Sequence, residues 1–297
     1  MTPAGRVTVV VLTHDCEPWI GRTLRSLTGL PGSPPVIAVD NGSEDGTVEL
    51  IRRDFPAARL ITCRPNLGAA ARNLGVEASG TPYVAFADDD TWYAPETLPR
   101  AVELFEAHPR LGVITVRTLV GEQLQEDPMS AEMAASPLTD GTELPGKKLL
   151  SFMAGVSVVR RSAYLAAGGY DPRLFMGGEE ELLACDLVSA GWELRYIPEL
   201  TAYHRPSGQN APNLRHHGVR NTLWFAWRRR HLPDALAWTL HIARTAPLNR
   251  ATLKGFAEAI GGLPWVLRDR HVVSAELERQ LRVLDAQKMS SRARRYL

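Results

Sequence analysis

Residues 84–93, VAFADDDTWY, carry an apolar run straight into Asp88, Asp89 and Asp90 and then into Trp92 and Tyr93. Three carboxylates in a row at the end of a buried strand repel one another and lose hydration, which is unfavourable unless a positive charge sits among them. A divalent cation with oxygen ligands is the commonest such charge. Two other polar clusters end apolar runs in the same way: Thr13 to Asp15 after VTVVVL, and Asp40 with Asn41 after PPVIAV. Any one of them alone reads as a helix cap; side by side, the three form a nucleotide-sized row of donors and acceptors. NLGAAARNLG adds Asn66, Gly68, Arg72, Asn73 and Gly75. Its small residues let a backbone approach a ligand, and its arginine, one turn into a helix, can grip a phosphate bidentately. GGEEELL places Glu179, Glu180 and Glu181 in a helix's first turn, where acids also complement the helix dipole.

Strands alternating with helices must position these groups. VTVVVLTHD, PPVIAVD, ARLITC and YVAFADDD read as buried strands, separated by helical patterns in EPWIGRTLRSLTGL, TVELIRRDF and GAAARNLGVEAS. Ser43 or Asp45 is placed to cap the second of these helices. That order predicts a parallel, Rossmann-like sheet with its ligand site at the strand ends. Residues 121–148, rich in turn formers and charges, read as an exposed, variable excursion. LLSFMAGVSVVRRSAYLAAGGYD then reads as strand and helix, GGEEELLACDLVSAGWELRYIP as helix and strand, and amphipathic helices follow to about Leu284.

Composition narrows the classes. Among 297 residues, 44% are hydrophobic, enough for a real core, and a net charge of +1 gives no field for nucleic acid. Arginines nevertheless crowd WRRRH and SRARRYL, which leaves a local anionic surface conceivable. Cys16, Cys63 and Cys185 form neither a disulfide framework nor a zinc site, and the N-terminal apolar run is too short for a secretion signal. With no run as long as a membrane span, a cytoplasmic protein is expected, with room for a peripheral membrane contact. No GxGxxG follows the first strand and no GxxxxGK[ST] occurs, against a dinucleotide dehydrogenase or P-loop enzyme.

VTVVVLTHD, VDNGSEDGT, NLGAAARNLGVEASGTPYVAFADDDT and FMGGEEELLACDLVSAGWEL, in this order and spacing, resemble family 2 glycosyltransferases of the GT-A fold over roughly residues 6–205. The resemblance implies an inverting transfer from a nucleoside-diphosphate sugar with Mn²⁺ or Mg²⁺. Carried over by position, it puts Asp90 on the metal with Asp88 alongside, Asp89 nearer the ribose or sugar, and His204 completing the metal shell. Thr13 and Asp15 flank the nucleoside, Asp40 recognises the base, and Arg72 lies near base or diphosphate. Asn66 and Gly68 belong to the same donor site. Glu180 falls on the general base with Glu179 beside it; the usual Asp is here a Glu and the next acidic position is Leu182, so Glu179 and Glu181 stay open. Trp92, Met153, Ala154 and Gly155 line the acceptor side.

The expected fold is therefore α/β, a GT-A mainly parallel sheet flanked by helices with a helical C-terminal appendage. Its catalytic part spans 1–210, with a nucleotide-sugar half to about 115 and an acceptor half beyond, and the extension spans 211–297. The expected activity is transfer from a UDP- or dTDP-sugar to a hydroxyl of a glycan, glycolipid or metabolite, rhamnosyl transfer included. Two alternatives stand beside it. A nucleotidyltransferase would need a glycine- and lysine-rich loop that TVVVLTHDCEP lacks, and a catalytically degenerate sugar-binding scaffold would fit the altered base motif. Monomer and homodimer are both compatible with the chain.

Overall fold

The computed structural model describes residues 3–139, 143–207 and 215–290. Its first half is the expected alternation: β1 (Val7–Thr13), α1 (Glu17–Thr28), β2 (Val36–Asp40), α2 (Thr47–Asp54), β3 (Arg59–Thr62), α3 (Arg72–Ala78) and β4 (Tyr83–Asp88). β1, β2 and β4 are almost wholly buried because helices cover both faces, which is why their sequences are continuous apolar runs. Val7, Val9 and Val11 face one core with Ile20, Leu24 and Leu27 of α1, while Val10 faces the other with Val76 of α3. α2 starts at Gly46 without a side-chain cap; Asp45 instead accepts from the Thr47 and Glu17 amides, tying α2 to α1.

The second half completes the sheet in a different order. β5 (Thr91–Tyr93), α4 (Thr97–Ala107), β6 (Leu111–Val120), β7 (Gln125–Glu126) and α5 (Pro128–Ala134) lead to β8 (Lys147–Lys148). β9 (Ser157–Arg160), α6 (Arg161–Ala166), α7 (Glu179–Ser189) and β10 (Glu193–His204) follow. The sheet runs β3-β2-β1-β4-β9-β6-β10-β5, with β9 and β5 antiparallel to their neighbours in a mainly parallel array. This is the GT-A arrangement expected. The excursion over 121–148 is largely exposed, as its composition suggests, and is anchored at a few points. Asp127 caps α5 by accepting from the Met129 amide, and Ser130 and Met133 are buried, Ser130 accepting from the Thr118 amide. Residues 140–142 of that segment lie outside the described residues.

Four helices follow: α8 (Arg215–Arg229), α9 (Leu232–Thr245), α10 (Arg250–Arg268) and α11 (Ala275–Ser290). Val219 and Leu223 of α8 share a core with Leu174, Leu182 and Cys185. The arginines of WRRRH make no anionic-binding surface. Arg228 donates to Asp171, Arg229 to Asp186, and Arg230, 1% exposed, to Glu278 and Asp285. They are the internal ties of the helical extension; those of SRARRYL lie outside the described residues.

Candidate active site

The strand register brings the polar ends together. Thr13 is level with Asp40 across β1 and β2, Asp40 with Thr62 on β3, and Leu12 with Asp88 on β4. Asp40 is buried, and both its oxygens are engaged by Ser43, through the hydroxyl at 2.5 Å and the amide at 3.2 Å. Ser43 also accepts from the Asp15 amide at 3.0 Å, while Asp15, in the left-handed region at φ 46°, accepts from the Glu44 amide at 2.7 Å. Thr13 is buried and donates to the Val39 carbonyl. The loops after β1 and β2 are thus latched into one wall, and a cleft of about 590 Å³ opens beside Asp40, Cys63 and Arg64.

The three aspartates point in different directions. Asp88 pairs with the buried Arg72 guanidinium. Asp89 lies against Trp19 and Cys16, where burial and then the charges of Asp90 and Asp88 push its carboxyl up to about 7. Asp90 lies 3.4 Å from His204 Nε2, and the hydrogen bond to it raises the imidazole's affinity for a proton. A bulge between Ile197 and Thr201 of β10 and the pairing of His204 with Thr91 bring that histidine to the site. Arg22, which no sequence pattern marks, lies over Trp92 at 5.5 Å; burial and then Arg205 lower its proton affinity. Trp92 also packs at 6.0 Å on Tyr203. Asp90 and His204 lie together and could offer a carboxylate oxygen and an imidazole to a hard dication, with Asp88, held by Arg72, at the same strand end.

Facing the aspartates is the start of α7. The Glu180 carboxylate accepts from the Ala154 amide and senses Arg72 and Asp88; burial raises its proton affinity. Burial, then repulsion from Glu180, raises that of Glu179 still more, and Glu179 Oε2 has no hydrogen-bond partner. Glu181 also lies in this first turn. Arg72 is the shared cation: burial alone would weaken its hold on a proton, but Asp88, Tyr170 and the two glutamates more than restore it. Ala154 and Gly155 follow Met153 on a short 3-10 turn so close to Asp88 that a Cβ at Gly155 would lie 2.2 Å from its carboxylate.

Asn66 and Gly68 prove to be part of the wall itself. Asn66 Oδ1 accepts from the Gly68 amide and from Asn41 Nδ2, both at 2.8 Å, and Asn41 Oδ1 accepts from the Leu67 amide. The close backbone approach that Gly68 permits is to Phe175: at φ +61° an added Cβ would sit 2.0 Å from the Phe175 carbonyl. Segment 174–178 is held from the other side by α8. Asn221 Nδ2 is in hydrogen-bond reach of the Leu174, Met176 and Gly177 carbonyls, and Arg220 donates to Leu174. Asn41 stands in the expected row of strand-end groups, whereas Ser43 and Asn221 were not expected as site builders; the adjacency of Ser43 to Asp40 was the available signal. Asn221, buried in a helix far along the chain, gave none. A separate group, His216, His217 and Glu258, could also ligate a cation, but Arg220 and Lys254 already contact the Glu258 carboxylate and repel one.

Comparison with known proteins follows this geometry. Residues 8–166, more than half of the chain, match the family model described as glycosyl transferase family 2. An N-acetylglucosaminyl-diphospho-decaprenol L-rhamnosyltransferase of Mycobacterium tuberculosis is 27% identical over 231 residues, covering 66% of this chain and 75% of its own length. A mannosyltransferase from Pyrobaculum calidifontis in complex with GDP-Man and Mn²⁺ superposes with a TM-score of 0.57 at 19% identity, over 97% of this chain and 88% of that one. Staphylococcus aureus TarS residues 1–349 in complex with UDP-GlcNAc gives 0.61 at 14% identity, over 98% and 89%.

Proposed function

The chain belongs to glycosyl transferase family 2, and from that premise we propose a metal-dependent, inverting transfer of a sugar from a UDP- or dTDP-sugar to an acceptor hydroxyl. The observation that carries this reading is the approach of the start of α7 to the aspartate row: Glu180 accepts from the Ala154 amide beside Asp88, and Arg72 senses Asp88, Glu179 and Glu180 together. Asp40 and the latched loops offer the nucleoside a wall, and the cleft beside Asp40 suits a planar base. Asp90, Asp88 and His204 would hold Mn²⁺ or Mg²⁺, which when bound supplies positive charge for the diphosphate. Glu180 takes the acceptor hydroxyl's proton as that oxygen bonds to the anomeric carbon, and the bond from that carbon to the diphosphate oxygen breaks. Burial raises the basicity of Glu180, and the Ala154 amide fixes its orientation. Residues 1–115 would serve the donor, 116–210 the acceptor, and 211–297 would support both.

The Mycobacterium relative, named for rhamnosyl transfer to a diphospho-decaprenol-linked sugar, favours rhamnose and a lipid-linked glycan over a free metabolite. No described helix is long and apolar enough to cross a membrane, and we place the enzyme at the cytoplasmic face, as monomer or homodimer, without nucleic acid. The test is a thermal-shift screen of nucleoside diphosphates with and without Mn²⁺, since a ligand of the native state raises its stability. Metal-dependent stabilisation by UDP or dTDP is expected. No response to any nucleotide would overturn the donor reading in favour of a sugar-binding scaffold.

A further inference from the structure

The outward faces of α9 and α10, which both pack on α8, are apolar where water-facing helices should be polar. Leu232, Leu236 and Leu240 form a stripe along α9, and Leu253, Ile260 and Leu267 one along α10; all six are exposed. Leu248, in the turn between the helices, is 88% exposed. Elsewhere, exposed large apolar residues such as Leu124, Leu165 and Met176 are scattered singly. The inward faces are already satisfied: Ile242, Ala259 and Val266 share the core of α8, and the Trp224 indole donates to the Ala259 carbonyl. Helices apolar on both faces need a second partner.

Charge decides which partner. Between residues 232 and 268 the exposed charged side chains are Arg244, Arg250, Lys254 and Arg268; Lys254 pairs with Glu258 and Arg268 with Asp269, while Arg244 and Arg250 flank Leu248 in sequence. The two acids of that span, Asp234 and Glu258, are partly buried and paired, Asp234 with Arg282 and Glu258 with Arg220. Two copies docked by this surface would bring like charges together. An apolar stripe rimmed by arginine and lysine is instead complementary to a bilayer carrying anionic headgroups.

We propose that the α9–α10 surface seats the enzyme on an anionic lipid bilayer, with Leu248 inserted and Arg244 and Arg250 at headgroup level. α9 returns antiparallel along α8, as the Trp227–Thr239 hydrogen bond shows, and Gly255 of α10 packs on the His216 carbonyl. The turn carrying Leu248 therefore lies towards the end of α8 where Gly218 meets Gly177, beside the loop that leads into Glu179. Docking there turns the acceptor side of the catalytic centre to the membrane. That orientation rests on the proposed function; the lipid-binding surface itself does not.

The experiment is co-sedimentation of the full chain with vesicles of phosphatidylcholine alone or with phosphatidylglycerol. Wild type is expected to sediment with the anionic vesicles, and Leu248→Glu/Leu253→Glu/Ile260→Glu to lower the bound fraction about tenfold or more. Arg244→Gln/Arg250→Gln should lose the preference for phosphatidylglycerol. Circular dichroism checks that each variant is folded. Protein that stays in solution with both vesicles overturns the proposal. So does equal binding by the triple variant, which would put lipid affinity elsewhere on the chain. A dimer that the triple variant dissociates, with no vesicle binding by wild type, would assign the surface to a second copy instead.

Discussion

Replacing Asn221 by alanine tests how α8 supports the catalytic centre. Asn221 is 1% exposed; its Nδ2 lies 2.8, 3.0 and 2.5 Å from the carbonyls of Leu174, Met176 and Gly177, and its Oδ1 accepts from Arg220 Nε. An amide has two hydrogens, so at most two of the three contacts are full hydrogen bonds at once. In the variant Leu174 keeps its bond from Arg220, while Met176, Gly177 and Arg220 Nε lose a partner. A buried unsatisfied group costs about 1–3 kcal/mol, and Met176 and Gly177 are open enough to water for the lower figure to apply. The expected loss is about 2–3 kcal/mol, a sizeable part of a native stability of about 5–15 kcal/mol. Urea unfolding should show a lower midpoint at an unchanged slope. Because segment 174–178 runs into α7, turnover should fall further than nucleotide binding does. A variant within about 0.5 kcal/mol of wild type, turning over at the wild-type rate, would refute the reasoning.

Three further substitutions probe the same geometry. Asp90→Ala should abolish Mn²⁺-dependent stabilisation by nucleotide and let the His204 proton affinity fall back in an NMR titration; an unchanged metal response would move the metal site elsewhere. Glu180→Gln should slow transfer by about 10²–10⁴-fold with nucleotide binding retained, and normal turnover would exclude it as the base. Its stability is also pH-dependent. The folded chain binds the Glu180 proton more tightly than the unfolded chain, so this contribution is complete below the ordinary value of 4.5 and is lost as pH rises through the higher folded value. Glu180→Gln should therefore match wild type in acid and gain on it as pH rises; a constant difference in chemical denaturation would contradict the assigned burial. Gly68→Ala adds a methyl 2.0 Å from the Phe175 carbonyl at a left-handed φ and should destabilise by about 2 kcal/mol or more, which thermal unfolding would detect.

The β/α alternation of the first half, its strand ends and the carboxylates on them were legible because each rests on local pattern. Apolar runs make buried strands, and helical spacing in EPWIGRTLRSLTGL puts Ile20, Leu24 and Leu27 on one face. The excursion over 121–148 is largely exposed as read, but α5 within it left no trace because it is short and its buried face consists of Ser130 and Met133, too little for a periodic signal. The helix carrying WRRRH covers the catalytic part as its amphipathic pattern reads, but nothing in WRRRH itself reveals that Asp186, Glu278 and Asp285 await its arginines.

By itself, then, the chain's order of residue types determined a mainly parallel sheet with acids at its carboxyl edge, three of them adjacent and in want of a counter-charge. The tertiary structure decided which charges meet: Arg72 on Asp88, His204 on Asp90, and Ala154 on Glu180. It also decided that Gly68 yields to Phe175 and that Asn221 secures the loop before α7. Local propensity acts over a few residues of chain, whereas these contacts join residues distant in sequence and exist only once packing has removed water from between them.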